Sequence, residues 1–481
     1  MIYHSTRNAM AQADSAAAVL EGLAPDGGLY VPAQLPAFDW KQCLQGSAME
    51  MATSILSALL PDIPDMQSLV SKAYTGKFAT KELTPTVSVG DFGVLELFHG
   101  PTSAFKDVAL CMLPQLLTAA RKVKSPDESI LILTATSGDT GKAALEGFKD
   151  VEGIKICVFY PDGGVSQVQR AQMVTQEGNN VTVCAVKGNF DDAQTGVKNI
   201  FSQCRDKDLP SRLSSANSIN IGRLAPQIMY YFKSYRDLMD AGKIQLGDEV
   251  NFSVPTGNFG DILAGYLAKK LGLPVGKLIC ASNANNVLTD FIRTGTYDRM
   301  RPLYKTNSPS MDILVSSNLE RLLYLLSGDC QLVASLMEKL NKEGSYTVPE
   351  ALLKEIQEQF WGDFCDDKMA EEVIGRVFKT YGYVCDPHTA AGWAAAENYV
   401  NQTGDNRAMV VLSTASPYKF PEAVLTAIGE TPAGDGFDQM NQLCQISGVH
   451  IPKNLSGLRT MPERHTGVIE KSEMLNFVLS L

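Results

Sequence analysis

Short apolar runs alternate with amphipathic stretches through the middle of the chain. Residues 129–135 (SILILTA), 154–160 (IKICVFY), 181–186 (VTVCAV), 250–255 (VNFSVP), 277–282 (KLICAS) and 408–414 (AMVVLST) each read as a buried strand. Helical patterns such as KAALEGFK and SQVQRAQMVTQ separate them. Apolar strands spaced by about 10–15 residues of helix are the mark of parallel sheets covered on both faces. The first 90 residues differ: Pro-rich turns separate two or three helical stretches, and no strong strand precedes 92–98 (FGVLELF). From 308 to 379 the pattern is helical, and the last 40 residues carry one more plausible strand or helix among several Gly and Pro. No repeat of fixed period stands out. The pattern predicts an α/β protein with helical additions at its start and after residue 305.

Composition narrows the function classes. A chain of 481 residues has room for about three domains. Hydrophobic content of 45% and charged content of 20% are those of a globular protein. Acidic residues outnumber basic ones by 53 − 42 = 11, which argues against nucleic acid or an anionic membrane as the main partner. An anionic substrate stays open, because a pocket can be basic within an acidic protein. The ten cysteines include no C-x-x-C pair and read as buried free thiols, not as disulfides or a zinc site. With five histidines and no H-E-x-x-H, no metal is expected. The N-terminal residues lack the apolar core of a secretory signal, and no apolar run reaches the roughly 18 residues of a membrane span. A cytoplasmic protein is expected.

Three loops stand where chemistry sits in open α/β sheets, between a strand and the helix that follows. In 97–107 (LFHGPTSAFKD), Lys106 is set among Phe98, Pro101, Ala104 and Phe105. A lone lysine on such a turn is commonly a snorkelling surface residue. This one is followed by the uncharged VALCMLPQLL, and desolvation there would lower its pKa and free the amine for Schiff-base chemistry. In 136–141 (TSGDTG), glycines, hydroxyls and helix-start amides suit a carboxylate or another anion, though the loop alone would also serve as an ordinary turn. It is not a P-loop, since Thr136 replaces the first glycine and Ala143 the magnesium-binding Ser/Thr. In 256–261 (TGNFGD), backbone amides at a helix start suit a phosphate. One phosphate-bearing carbonyl cofactor would use all three.

LFHGPTSAFKD, ATSGDTG and VPTGNFGD together resemble the threonine synthase family of fold-type II pyridoxal-phosphate enzymes. Residues Tyr3, Ser5, Thr6 and Arg7, then GLAPDGGLYVP (22–32), NSINIGR (217–223) and LSTASPYKF (412–420), are similar to the same family. The resemblance spans roughly residues 3–420. It implies two open, largely parallel sheets covered by helices, with helical N-terminal and C-terminal additions. It divides the chain into an N-terminal helical region (1–90), a smaller α/β domain with Lys106 and SGDTG (91–215), and a larger α/β domain with GNFGD (216–430). A helical insertion falls at about 305–380, and 431–481 is left without a role.

By the resemblance, Lys106 carries pyridoxal 5'-phosphate and acts as the general base. Gly257, Asn258, Phe259, Gly260 and Asp261 hold the cofactor phosphate, and Thr414 lies beside the ring nitrogen. Ser137, Asp139 and Thr140 are placed to bind the substrate carboxylate or phosphate. Arg223 has two readings, a fork for the substrate phosphate or a structural arginine. The implied reaction converts O-phospho-L-homoserine and water to L-threonine and phosphate, in a monomer or homodimer. Two positions depart from the familiar motif: Ser103 where an apolar residue is common, and Lys142 where a small one is. Lys142 either adds charge near the substrate phosphate or points to solvent, and His99 either moves a proton or packs. The rivals are a hydroxyamino-acid dehydratase, a phospho-lyase yielding 2-oxobutyrate, and a non-catalytic metabolite-binding relative.

Overall fold

The computed structural model describes residues 1–136, 138–204 and 210–481. The larger sheet has six strands, ordered Phe360–Phe364, Val275–Ser282, Val250–Pro255, Ala408–Ser413, Phe92–Glu96 and Thr86–Val89. All of its pairs are parallel except the last. The second sheet has five parallel strands, ordered Val468–Ile469, Val181–Val186, Ile154–Pro161, Ile130–Ala135 and Arg212–Ser214. Every residue of Val250–Pro255 is buried, as a strand covered by helices on both faces requires. Fold class and the six apolar strands therefore stand as the sequence pattern predicts, with ends shifted by a residue or two.

Three elements differ from that pattern. Ile2–Ser5, Gln12–Asp14 and Tyr30–Pro32 form a small antiparallel sheet in the N-terminal region, where only helices were expected. These strands are three or four residues long, too short to show a period. Phe360–Phe364 (FWGDF) is a parallel edge strand inside the 305–380 stretch expected to be helical. It begins directly at the end of helix Glu350–Gln359, so no turn marks the change of period. Residues after 431 also join the fold. Val468–Ile469 extends the five-stranded sheet, and Met474 and Val478 pack with Val197 and Ile200 of helix Phe190–Cys204. Among the described residues no helix is long and apolar enough to cross a membrane.

Helix Lys106–Lys124 runs through the core with Val108–Pro114 all buried, and it packs on helix Asp139–Phe148. Their closest approach falls at Gly147, where a Cβ would stand 1.9 Å from the Leu110 carbonyl oxygen. These two helices start at the Lys106 and SGDTG loops, so their separation sets the spacing of those loops. Gly147→Ala should therefore cost about 1–3 kcal/mol of stability by overpacking. The urea midpoint measures this, and a midpoint equal to the parent's would contradict the close approach.

Candidate functional site

Three neighbouring strands of the six-stranded sheet deliver three loops to one edge. Phe92–Glu96 leads to the Lys106 loop, Val250–Pro255 to the 256–261 loop, and Ala408–Ser413 to Thr414. Parallel strands put all their C-terminal ends on one side, which is why residues 300 positions apart in sequence meet. The Lys106 loop is pinned to its neighbour by Phe105 N–H to Thr414 O (2.8 Å), Ser416 N–H to Ser103 O (3.1 Å) and an Ala104–Ala415 bridge. Ser103 adopts φ 60°, and its hydroxyl bonds the Asn454 side chain, which also donates to Pro101 O (2.8 Å). The unusual serine thus ties the loop to the C-terminal segment.

Lys106 opens its helix, and its ammonium donates to Ser310 Oγ at 3.3 Å. Burial drives its pKa from the usual lysine value down to about 8. The charges of Arg223 and Lys419 push the same way, while Asp139 and Asp107 oppose. Asp107 accepts from the Thr102 N–H (2.8 Å) and Oγ1 (2.6 Å), and burial raises its carboxyl to about 6. The expected desolvated amine is present.

The 256–261 loop ends at helix Gly260–Lys270, with Phe259 at φ 61° and no side-chain cap. Backbone N–H groups of Gly257, Asn258, Phe259 and Gly260 donate to no group among the described residues. Four free donors at a helix start form an anion cradle. A Cβ on Gly257 would stand 2.7 Å from the Ser310 carbonyl oxygen, whereas one on Gly260 would meet nothing nearer than 3.4 Å. The protein itself therefore requires glycine at 257, and only a ligand would require it at 260. Ser310 touches the lysine amine with its hydroxyl and the cradle with its carbonyl, so one residue separates them. That spacing, a lysine amine beside a phosphate cradle, fits pyridoxal phosphate. The Thr414 hydroxyl, on the adjacent strand end, bonds nothing among the described residues.

The other expected residues divide. Ser137 lies outside the described residues. The N–H groups of Asp139 and Thr140 begin helix Asp139–Phe148 without an acceptor among the described residues, while Thr136 Oγ1 takes those of Gly138 and Gly141. The Asp139 carboxylate does not face an anion. It pairs with the fully buried Lys419 at 2.6 Å and accepts from Gln169 at 2.9 Å. Burial alone would raise its pKa, but Lys419 and Lys106 outweigh burial and hold it well below the usual range. Asp261 also turns away: its carboxyl bonds Tyr230 and Tyr231, burial raises it to about 7, and its Oδ2 has no partner. Only its backbone can serve the cradle. Arg223 is buried, with Nη1 on Ala216 O (2.5 Å) and Nε unpartnered, and it has no carboxylate partner among the described residues. Burial lowers its pKa to about 10.

Lys142 and His99 each have partners of their own. Lys142 is buried and bonds Glu146 and Gln176, neither pointing to solvent nor free for a substrate. His99 Nε2 is held by Glu96 at 2.8 Å, and Glu96 also accepts from Tyr383. Sequence reasoning missed Lys419, Ser310, His388 and Asp386. Lys419 stands inside the quoted LSTASPYKF motif, a local clue that went unused. The other three carry no local pattern.

The chain matches three family models: "Threonine synthase N terminus" over residues 2–74, "Pyridoxal-phosphate dependent enzyme" over 85–414, and "Threonine synthase, C-terminal" over 389–477. It is 40% identical to threonine synthase of Pseudomonas aeruginosa, over 97% of this chain and 98% of that one. It is also 40% identical to threonine synthase-like 1 of Homo sapiens, over 85% of this chain, and spans 57% of that relative's length. The crystal structure of pyridoxal-phosphate-bound threonine synthase from Brucella melitensis superposes with a TM-score of 0.88 at 37% identity, covering 100% and 99% of the two chains.

The electrostatics make a pH prediction. In the cofactor-free protein, acylation of the Lys106 amine should rise with a midpoint near pH 8, because burial favours the neutral form. Arg223→Ala removes a cation that lowers this pKa and should move the midpoint up. A parent midpoint at the ordinary lysine value of about 10.4 would contradict the desolvated setting.

Proposed function

The chain belongs to the threonine synthase family, and on that premise we propose that it converts O-phospho-L-homoserine and water to L-threonine and phosphate with pyridoxal 5'-phosphate. The observation that carries the reading is Ser310, which bonds the Lys106 amine and abuts the Gly257 cradle at once. When bound, the cofactor supplies a carbonyl for the amines and a ring that accepts electrons from the substrate carbon. Lys106 would carry it. The N–H groups of Gly257, Asn258, Phe259 and Gly260, with the Asp261 backbone, would hold its phosphate, and Thr414 would meet the ring nitrogen with a neutral hydroxyl.

The chain's own groups then have separate tasks. Lys106 Nζ, with a pKa near 8, takes the substrate Cα proton as a general base. Over the whole reaction, Cγ loses phosphate and ends as the methyl, while Cβ gains the hydroxyl of water. The substrate carboxylate is oriented by the N–H groups of Asp139 and Thr140, which have no acceptor among the described residues, and Ser137 of the same sequence motif is a further proposed contact. Arg223, a buried guanidinium without a carboxylate partner among the described residues, takes the leaving phosphate. The Asp139–Lys419 pair fixes the helix start against the 414–419 segment and holds a second positive charge nearby. We place the enzyme in the cytoplasm as a monomer or homodimer.

Incubation with O-phosphohomoserine should yield threonine and phosphate in equal amounts. 2-Oxobutyrate as the main product would overturn the reading in favour of a phospho-lyase. Lys106→Ala should lower turnover by at least about a thousandfold with the fold intact, since carrier and base are lost together. Phosphohomoserine turnover should fall from parent to Arg223→Lys to Arg223→Ala, with much smaller changes on unphosphorylated serine or threonine. Equal losses on both classes would assign Arg223 to the fold. Gly260→Ala should weaken cofactor binding with little loss of stability, because its Cβ would meet no protein atom nearer than 3.4 Å while crowding the proposed phosphate site; unchanged affinity would place the phosphate elsewhere.

A further inference from the structure

His388 belongs to no motif and, among the described residues, hydrogen-bonds neither Lys106 nor the 256–261 loop, yet it is buried and both its ring nitrogens have partners. It stands at the start of helix Pro387–Thr403, whose cap is the fully buried Asp386. Its Nδ1 lies 2.6 Å from Asp386 Oδ2, and its Nε2 lies 3.2 Å from the Ser310 nitrogen. A backbone N–H can only donate, so Nε2 must present a lone pair. Nδ1 then carries the hydrogen and donates to Asp386, and the tautomer of a neutral ring is fixed. Asp386 is itself oriented by the Thr389 N–H (3.1 Å) and hydroxyl, and the same hydroxyl meets Ser413 Oγ at 2.9 Å.

The residue held at the far end of this chain matters more than the bonds themselves. Ser310 belongs to a strap, 308–318, that lies between the two cofactor elements. Its hydroxyl receives the Lys106 ammonium, and its carbonyl abuts Gly257. Further along, Ser316 Oγ donates to Gly257 O (2.8 Å) and the Asn318 N–H to Asn258 O (3.1 Å). Asn283 ties the strap's start through Ser308 and Asp312. Among the described residues the Ser310 N–H has no acceptor except His388.

We infer that His388, oriented by Asp386, is a positioning residue that seats Ser310 and thereby fixes the distance between the Lys106 amine and the phosphate cradle. This rests on the pyridoxal-phosphate reading of the site. Loss of the Nε2 acceptor takes away the partner of a partly buried N–H and lets the strap shift, which disturbs the lysine and the cradle together.

The test compares two replacements of the ring. His388→Asn keeps an amide where Nδ1 sits, for Asp386, but has no atom at Nε2. His388→Gln reaches the Nε2 position and can accept from Ser310. Two readouts need no substrate: the rate of forming the borohydride-reducible lysine linkage with pyridoxal phosphate, and the affinity for pyridoxine 5'-phosphate, which occupies the cradle but has no aldehyde. His388→Asn should lower both by about five- to tenfold, the scale of one lost hydrogen bond, and His388→Gln should stay within about threefold of the parent. Ser310→Ala should slow linkage while leaving pyridoxine phosphate affinity within about threefold, because the carbonyl and the strap remain. Thermal midpoints confirm that each variant is folded. Asn behaving like the parent, or Gln impaired as much as Asn in a folded protein, would overturn the positioning role. A parent that forms the linkage but makes no threonine would instead overturn the proposed reaction and leave this inference standing.

Discussion

The site turns on a lysine amine withdrawn from water at the first residue of a buried helix. Desolvation favours the neutral amine, and nearby cations add to that effect. A buried charge needs a partner, and the structure gives the carboxylate of Asp139 to Lys419, not to Lys106. Among the described residues the Lys106 amine hydrogen-bonds the Ser310 hydroxyl and Arg223 a carbonyl, and neither bonds a carboxylate. The result is a pocket with an excess of cations and free N–H donors inside a chain of net charge −11. At a Debye length of about 8 Å, the repulsion from distant acidic residues is screened, and these local donors decide what binds.

Assembly of that pocket is a matter of topology more than of local sequence. Three adjacent parallel strands supply the lysine loop, the phosphate cradle and Thr414 from the same edge. The SGDTG helix comes from the other sheet and is joined to them by the Asp139–Lys419 pair and the Gly147 contact. A buried ion pair of this kind contributes little net stability once its desolvation is counted. What it does here is fix one helix start relative to the end of another strand. The 308–318 strap has the same function between Lys106 and the cradle, at the level of a single residue.

How far the sequence discloses this follows from the range of the interactions. Fully buried strands such as Ile154–Pro161 are continuous apolar runs, so they are legible from composition alone. Ile2–Ser5 and Phe360–Phe364 are not, because pairing decides them and their residues show no period. Lys106 was legible because its desolvating neighbours adjoin it in the chain. Ser310, His388 and Asp386 were not, since each acts through residues that the fold brings from far away. Asp139 misleads for the same reason: adjacency to a glycine turn suggested a substrate contact, while Lys419, distant in sequence, claims its carboxylate; Lys142, open between substrate and solvent from sequence, is likewise claimed by a distant residue, Gln176. Asp261 shows the limit at its sharpest, as its backbone belongs to the cradle and its carboxyl to two tyrosines of another helix.

The most direct measurement is to incubate the protein with pyridoxal phosphate, reduce it with borohydride, digest it and locate the modified lysine by mass spectrometry. Modification at Lys106 alone is the expected result, because its amine is neutral-prone, its residue is only partly buried, and Ser310 alone separates it from the cradle. Modification at Lys419 or at a surface lysine, with Lys106 intact, would contradict the account.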